Sequence, residues 1–474
     1  MAGWRRGRGM HRYLARTLEG AAAALMAGGI CHCGWAAPAV LAICPVGQPM
    51  HAAHRLTLDT TDNNPRDLII AEASEALSPD CRRSPLPFSS GAVRWLGVLP
   101  GNGATSDRLA ITSREKGGEI LGIEEEKLGH TQSSRHLPSR QARRGAALSK
   151  PPAAWTWDAK GWRNDPQGLI DAATRAGIGA LYVSVPIASG EVSHADALAA
   201  FIVQCREAGI DVYAVEGDPK MITAEGLALA ASRAGALARY RATHPQAPFV
   251  GVQYDIEPYL LASFGADPVA AWMRWSTALH TLSGALGEPV DTVIPYWIEE
   301  SPGGAEALVA ARRALRCITI MAYRTELDQI MDAAAPALVF AERAGLPATV
   351  GLEAGPIAEE RRSIFRRSAA GDLHLARLGD VTAALLLDAP LAGSHGRAFR
   401  KSHSVLSDPA RVTFFGRRQR LFEVAGALAT ALTAYPAAQR IAFHGLSEFE
   451  PPENRNIETK KDTPDDTGRE NPAH

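Results

Sequence analysis

One junction recurs three times in this chain and limits what it can fold into: "RAGIGALYVSV" (175–185), "EAGIDVYAVEG" (207–217) and "RAGLPATVGLE" (343–353). In each, a helical stretch stops at Gly177, Gly209 or Gly345, the residue type that accepts the left-handed conformation past a helix end. An apolar residue follows, and a β-branched or aromatic run begins. Helix–glycine–strand units with such short connections imply parallel strands joined by right-handed crossovers. Strand candidates fall in order at "AAWTWDA", "ALYVSVP", "DVYAVEG", "FVGVQYDIE", "VDTVIPYWIE", "CITIMAYR", "TVGLEAG" and "RIAFHGL". Eight strands interspersed mainly with helices predict an α/β protein, a (β/α)8 TIM barrel over 153–449. The alternative, an open doubly wound sheet, calls for a Gly-rich phosphate turn after its first strand, and "WTWDAKGW" is not one.

Far more residues separate strands seven and eight than a crossover helix needs. "AALLLDAPLAG", "FRKSHSVLS" and "RVTFFG" read as short strands there, followed by the helix "QRLFEVAGALATALTAY". This long insertion is expected to form a lid or side wall over the barrel mouth; its His395 and His403 receive no role.

Outside the barrel the sequence is less orderly. Arg5, Arg6, Arg8, Arg12 and Arg16 precede the apolar "AAAALMAGGI" (21–30), and no Asp, Glu, Lys or Arg lies between Gly20 and His54. Residues 1–50 therefore read as an export signal or an N-terminal anchor, with cleavage near "GWAAPA" or "QPMHAAH" and a periplasmic or extracellular destination; a start assigned too early in the frame would leave the protein cytoplasmic. No other segment is apolar and long enough to span a membrane. Residues 51–152 form a poorly defined region that closes in the linker-like "HTQSSRHLPSRQARRGAALSKPP" (130–152), and residues 450–474 form a polar tail with a disordered composition. Six cysteines are too few and too scattered for a disulfide framework, and Cys31-His32-Cys33 lacks a second ligand pair at zinc-finger spacing. Basic and acidic residues number 50 and 51 with no long basic stripe, which speaks against nucleic acid as a partner.

The chemistry concentrates in "GVQYDIEPY" (251–259). Side chains alternate across a strand, so Gln253, Asp255 and Glu257 share one face and Val252, Tyr254 and Ile256 the other. In a barrel the apolar set meets the helices, and Glu257 emerges at the C-terminal rim, where barrel enzymes carry their chemistry. Other strands also end in polar groups: Asp158, Glu216, Glu299 with Glu300, Tyr323 with Arg324, Glu353 and His444. Trp157, Trp162, Tyr259, Tyr296 and Trp297 are candidate sugar platforms near the same rim. No G-x-S-x-G elbow, G-x-x-x-x-G-K-[ST] loop or H-E-x-x-H pair is present. Carboxylates without a metal, cofactor or nucleophilic Ser or Cys point to acid–base chemistry at an acetal, with an oligosaccharide or polysaccharide as substrate.

"VGVQYDIE" is similar to the fourth-strand signature D-x-x-D-x-D-x-E of chitinase-like glycoside hydrolases, family 18, and "ITIMAYR" (318–324) resembles that family's sixth-strand M-x-Y. The resemblance covers about 153–449 and extends to divergent glycosidase-like bacterial barrels that carry "IEP" after the strand. It implies that Glu257 is the general acid, that Asp255 steers a substrate acetamido group, and that Tyr323 hydrogen-bonds the reacting sugar. Val250 and Gln253 stand where the family has its first two aspartates. Gln253, Tyr259, Asp158, Glu216, Trp297, Glu299 and His444 are then candidate substrate-binding residues. Two alternatives stand beside this reading. One is a retaining glycosidase with Glu257 as acid/base and Glu353 as nucleophile; the other is a barrel that binds glycan without cleaving it.

Overall fold

The computed structural model describes residues 39–446 apart from short stretches, the longest of which is 126–139. Residues 1–38 and 447–474, with most of the export segment and the polar tail, lie outside the described residues, as does most of the linker-like stretch before Ala146. Among the described residues, no helix is long and apolar enough to cross a membrane.

Eight parallel strands close into a barrel in sequence order. Strand one is Ala153–Thr156, two Ala180–Ser184, three Asp211–Glu216, four Val252–Tyr254, five Val290–Pro295, six Leu315–Met321, seven Ala348–Glu353 and eight Ala438–His444. The expected (β/α)8 fold is the fold observed. Gly177, Gly209 and Gly345 have φ of +66°, +75° and +64°. In each case the buried residue that follows donates its backbone N–H to the carbonyl five positions earlier: Ile178 to Ala173, Ile210 to Cys205 and Leu346 to Ala341. The repeated sequence unit is thus a repeated helix stop that turns the chain directly into the next strand.

Alternation sorts the strands into two layers. Val252, Tyr254 and Ile256 join the core between barrel and helices, as do Leu181, Val212, Ile294, Ile320, Val350 and Phe443. The lumen holds Trp155, Tyr182, Tyr213, Val215, Val293, Met321 and Ala442. Its rings pack closely, with Trp155–Tyr182 and Tyr182–Tyr213 centroids each 5.1 Å apart. The lower end is closed by charge: Arg316 grips the buried Asp291 with two 2.8 Å hydrogen bonds, and the buried Arg440 sits over the Tyr213 ring.

The rest of the chain corrects three expectations. Residues 51–152 are not merely a poorly defined lead-in, and the insertion is not simply a lid, because the two build one antiparallel unit together. Val93–Leu99, Arg108–Arg114 and Ile120–Glu125 share a seven-stranded sheet with Glu360–Ser368, Ala370–Leu378, Val381–Ala392 and Ala398–Leu406 from the insertion. A four-stranded sheet, His54–Leu58, Arg66–Glu72, Ala39–Pro45 and Arg82–Pro85, packs on it through Leu41, Leu68 and Ile70 against Leu96, Leu385 and Leu387. A boundary at residue 50 is also displaced, since Ala39–Pro45 is an inner strand of that small sheet, paired with Arg66–Glu72 and Arg82–Pro85. Finally, two of the scattered cysteines do pair: Cys44 and Cys81 form a disulfide across the same sheet. This sandwich-like unit joins the barrel where strand seven ends, so it hangs from the C-terminal rim.

Candidate active site

Strand four delivers its carboxylates as alternation requires. Asp255 keeps the ladder going by donating its N–H to Glu216 O (2.8 Å), and the proline after Glu257 keeps that residue out of the helical region, at φ −109° and ψ 77°. The turn Pro258–Leu260 folds Tyr259 back, so that its hydroxyl donates to Glu257 Oε2 at 2.7 Å. Tyr259 is in turn backed by Trp297, 5.0 Å away, and by Trp272.

Burial pushes Asp255 well above the usual carboxylate range, the charge of Glu257 adds to this, and His444 opposes it. Burial also raises Glu257, against the Tyr259 hydroxyl and His444. Two adjacent, half-buried carboxylates cannot both be ionised cheaply, and each raises the other's affinity for a proton or competes for it. Asp255 Oδ1 is buried and meets no N–H or O–H donor of the protein. That oxygen is therefore open to a donor that a ligand brings.

Across the mouth, strands seven and eight set a second pair. Glu353, 6% exposed, accepts from His444 Nδ1 (2.7 Å) through Oε2 and from Gly355 N (2.6 Å) through Oε1. Burial alone would raise its pKa; the charge and hydrogen bond of His444, with the backbone N–H groups of Gly355 and Ala354, bring it below the ordinary value. For His444 burial works downward, but Glu353, Asp255 and Glu257 outweigh it and push the imidazole up to about 9. Trp157 Nε1 lies 3.0 Å from His444 Nε2, a contact that suits the neutral ring. Three facing carboxylates decide the sign in favour of the cation, and the indole N–H limits the size of the effect. Tyr323 stands over the same imidazole, ring centroids 6.4 Å apart and nearly parallel, and burial followed by Glu353, Asp255 and Glu257 raises its hydroxyl.

Two glycines make room for this seat. A Cβ on Gly445, whose φ is +65°, would lie 2.5 Å from Gly355 Cα and 2.9 Å from Glu353 Oε1. Sequence reasoning missed both Gly355 and Gly445, although they lie two residues and one residue past the ends of rim strands seven and eight.

Asp255, Glu257, Tyr259, Tyr323, Glu353 and His444 thus meet at one mouth. Others named from the sequence do not. Glu216 lies on the face of strand three that carries Val212 and Ala214, and it is gripped by Arg233 of helix Ala224–Thr243 at 2.6 and 2.8 Å. Asp158 lies on the Ala154 side of its strand and accepts from Lys160 N (2.8 Å), capping the next turn. Gln253 faces the lumen as expected but is fully buried beneath the mouth, accepting from Trp155 Nε1 (2.7 Å) and donating to Thr319 Oγ1 (3.0 Å). Trp297 supports Tyr259 from behind, Trp162 is core, and Glu299 and Glu300 lie on an exposed turn. Tyr296 is covered by the Arg324 guanidinium, 4.6 Å from its centroid. Among the described residues, no group of three or more His, Cys, Asp or Glu side chains is arranged to hold a metal ion.

No family model matches the chain, and no curated protein matches it. Solved structures with a similar course include a class V chitinase from Pseudomonas fluorescens, 14% identical, covering 62% of this chain and 94% of that one, with a TM-score of 0.33. A family 18 chitinase of Flavobacterium johnsoniae is 12% identical over 63% and 89% of the two chains, with a TM-score of 0.31. The Bacillus cereus spore cortex-lytic enzyme SleL is 9% identical over 64% and 72%, with a TM-score of 0.34. At such depths of similarity, the chemistry is read from the mouth's own residues.

Proposed function

We propose that the barrel hydrolyses a glycosidic bond of an N-acetylated sugar, with Glu257 as general acid. The observation that carries this reading is the pair Asp255 and Glu257 side by side at the mouth, with Asp255 Oδ1 buried without a protein donor and Glu257 held by the Tyr259 hydroxyl. A substrate acetamido N–H that engages Asp255 Oδ1 draws that carboxyl toward its ionised form, and a proton shared by the pair passes to Glu257. Glu257, steered by Tyr259, then delivers it to the leaving oxygen. Tyr323 faces the same space and supplies a hydroxyl to the reacting sugar. The acetamido oxygen serves as the internal nucleophile, and Glu257 afterwards takes a proton from water.

A second reading has support of its own. Glu257 is raised while Glu353 is lowered, and pairs pulled apart in this way often divide acid and nucleophile roles. Against it, both Glu353 oxygens are engaged, one by His444 and one by Gly355 N. The disulfide Cys44–Cys81 favours an oxidising compartment and so supports export of the protein.

Kinetics on N-acetylated oligosaccharides separates the readings. Glu257→Gln should retain binding and lose roughly 10²–10⁴-fold in turnover, with much of the rate restored on substrates whose leaving group needs no proton. Asp255→Asn should be severe and Glu353→Gln mild. If Glu353→Gln instead abolishes turnover and azide restores it, Glu353 is the nucleophile. If glycans bind but none is cleaved, and Glu257→Gln changes nothing, the barrel is a binding module.

A further inference from the structure

The seven-stranded sheet carries a charge arrangement that the mouth does not explain. Arg366 lies directly opposite Arg108 on one neighbouring strand and Arg400 on the other, so three arginines form a row across three strands on one face. Neighbouring strands are about 4.8 Å apart, which sets the outer two roughly 10 Å apart. Like charges directly opposite one another in a sheet are destabilising. The same face continues with His403 opposite Ile364 and with Arg362, while its nearby acid, Glu124, is taken by Arg362 at 2.7 Å. Arg367 uses Asp107, and Asp372 accepts from the backbone of Lys401. Arg366 and Arg400 are both exposed, and among the described residues no carboxylate pairs with either. Two unpaired, adjacent guanidiniums held on a rigid sheet form a fork suited to carboxylate or sulfate groups.

We infer that this face binds an acidic polysaccharide, with Arg366 and Arg400 as its central contacts and Arg108 and His403 flanking them. Several observations select a glycan among polyanions. Apart from the His403 imidazole, the face along these rows presents no aromatic ring on which a base would stack, and no helix to enter a groove. The disulfide Cys44–Cys81 in the same unit suits an oxidising compartment, where nucleic acid is not the usual partner. The unit also hangs from the rim of a barrel whose mouth is read as carbohydrate-processing. The inference rests on that reading only for this last point, and the binding itself needs no turnover.

The test is affinity electrophoresis of the full chain in gels containing alginate, polygalacturonate or dextran sulfate, with dextran as the neutral control and single-stranded DNA in a parallel competition. The wild type is expected to be retarded by at least one acidic polysaccharide and not by dextran, with retardation fading as salt is raised. Arg366→Gln/Arg400→Gln should weaken binding about tenfold with an unchanged melting temperature, and Arg366→Lys/Arg400→Lys should recover part of it. Glu257→Gln should bind as the wild type does, so loss of catalysis and loss of this surface are read separately. Absence of retardation by every acidic polysaccharide overturns the inference. So does undiminished binding by the folded double variant, or a clear preference for single-stranded DNA.

Discussion

Replacing His444 with Gln keeps a donor near Glu353 and removes an imidazole that the neighbouring carboxylates push up to about 9. Raising an imidazole from 6.5 to about 9 corresponds to about 3 kcal/mol of preference for its charged form in the folded protein. That figure is an upper bound, because 34% of the side chain is exposed and water screens the carboxylates there. The Trp157 N–H facing Nε2 reduces it further. About half, roughly 1–2 kcal/mol, should reach the folding free energy. Because the folded pKa lies above the unfolded one, this stabilisation is complete below about pH 6.5 and disappears as pH rises through about 9. Glu353 contributes in a separate window: lowered in the fold, it stabilises above its ordinary 4.5 and loses that effect as pH falls through its folded value. Urea unfolding followed by tryptophan fluorescence, for wild type and His444→Gln across the neutral-to-alkaline range, isolates the term by difference. The wild type should lose about 1–2 kcal/mol more than the variant over that range. Parallel curves for the two proteins would refute an imidazolium held by Glu353.

Three further outcomes follow from the same structure. Gly445→Ala places a Cβ against Gly355 and Glu353 from a backbone with φ of +65°, so it should cost about 1–3 kcal/mol in thermal or urea unfolding and lower turnover through displacement of Glu353. Cys81→Ser opens a loop between residues 37 apart and should destabilise the sandwich-like unit by about 4 kcal/mol on the loop-entropy estimate; reductant should act on wild type in the same way and have no effect on the variant. Glu216→Gln strips a buried partner from Arg233 and should cost about 3–5 kcal/mol of stability while leaving kcat and KM unchanged, whereas a substrate-binding Glu216 would raise KM.

The sequence made the barrel legible because its signal is local. A glycine and the apolar residue after it close each helix within five residues, and the next strand begins at once. Strand four was legible for the same reason, since alternation alone puts Gln253, Asp255 and Glu257 together. Glu216 and Asp158 were misplaced because a position at the end of a strand was taken to mean a position at the mouth. Parity along their own strands, Val212–Ala214–Glu216 and Ala154–Thr156–Asp158, would have sent both outward. The sandwich-like unit was illegible for a different reason: the pairings that join it are remote. Local hairpins exist, Arg108–Arg114 with Ile120–Glu125 and Ala370–Leu378 with Val381–Ala392, but the contacts that join them into one sheet, Val93–Leu99 with Val381–Ala392 and Arg108–Arg114 with Glu360–Ser368, are far apart in sequence. The barrel's first seven strands lie between them.

The two pairs across the mouth divide the electrostatic work. Glu353 and His444 form an ion pair that is neutral as a unit, while the proposed mechanism gives Asp255 and Glu257 one proton between them and a single negative charge. On that proposal the mouth presents one net negative charge to a sugar that becomes positive as its glycosidic bond breaks, and it still holds a proton for the leaving group. Without His444, a third carboxylate would push the proton affinity of the Asp255–Glu257 pair up further, and the acid would part with its proton less readily. Without Glu353, the imidazolium would stand unneutralised beside the developing cation and oppose it. A buried ion pair that adds no charge of its own, placed opposite a proton-sharing pair, satisfies both requirements. It also accounts for Glu353 being held by His444 and the Gly355 N–H while Asp255 keeps an oxygen without a protein donor.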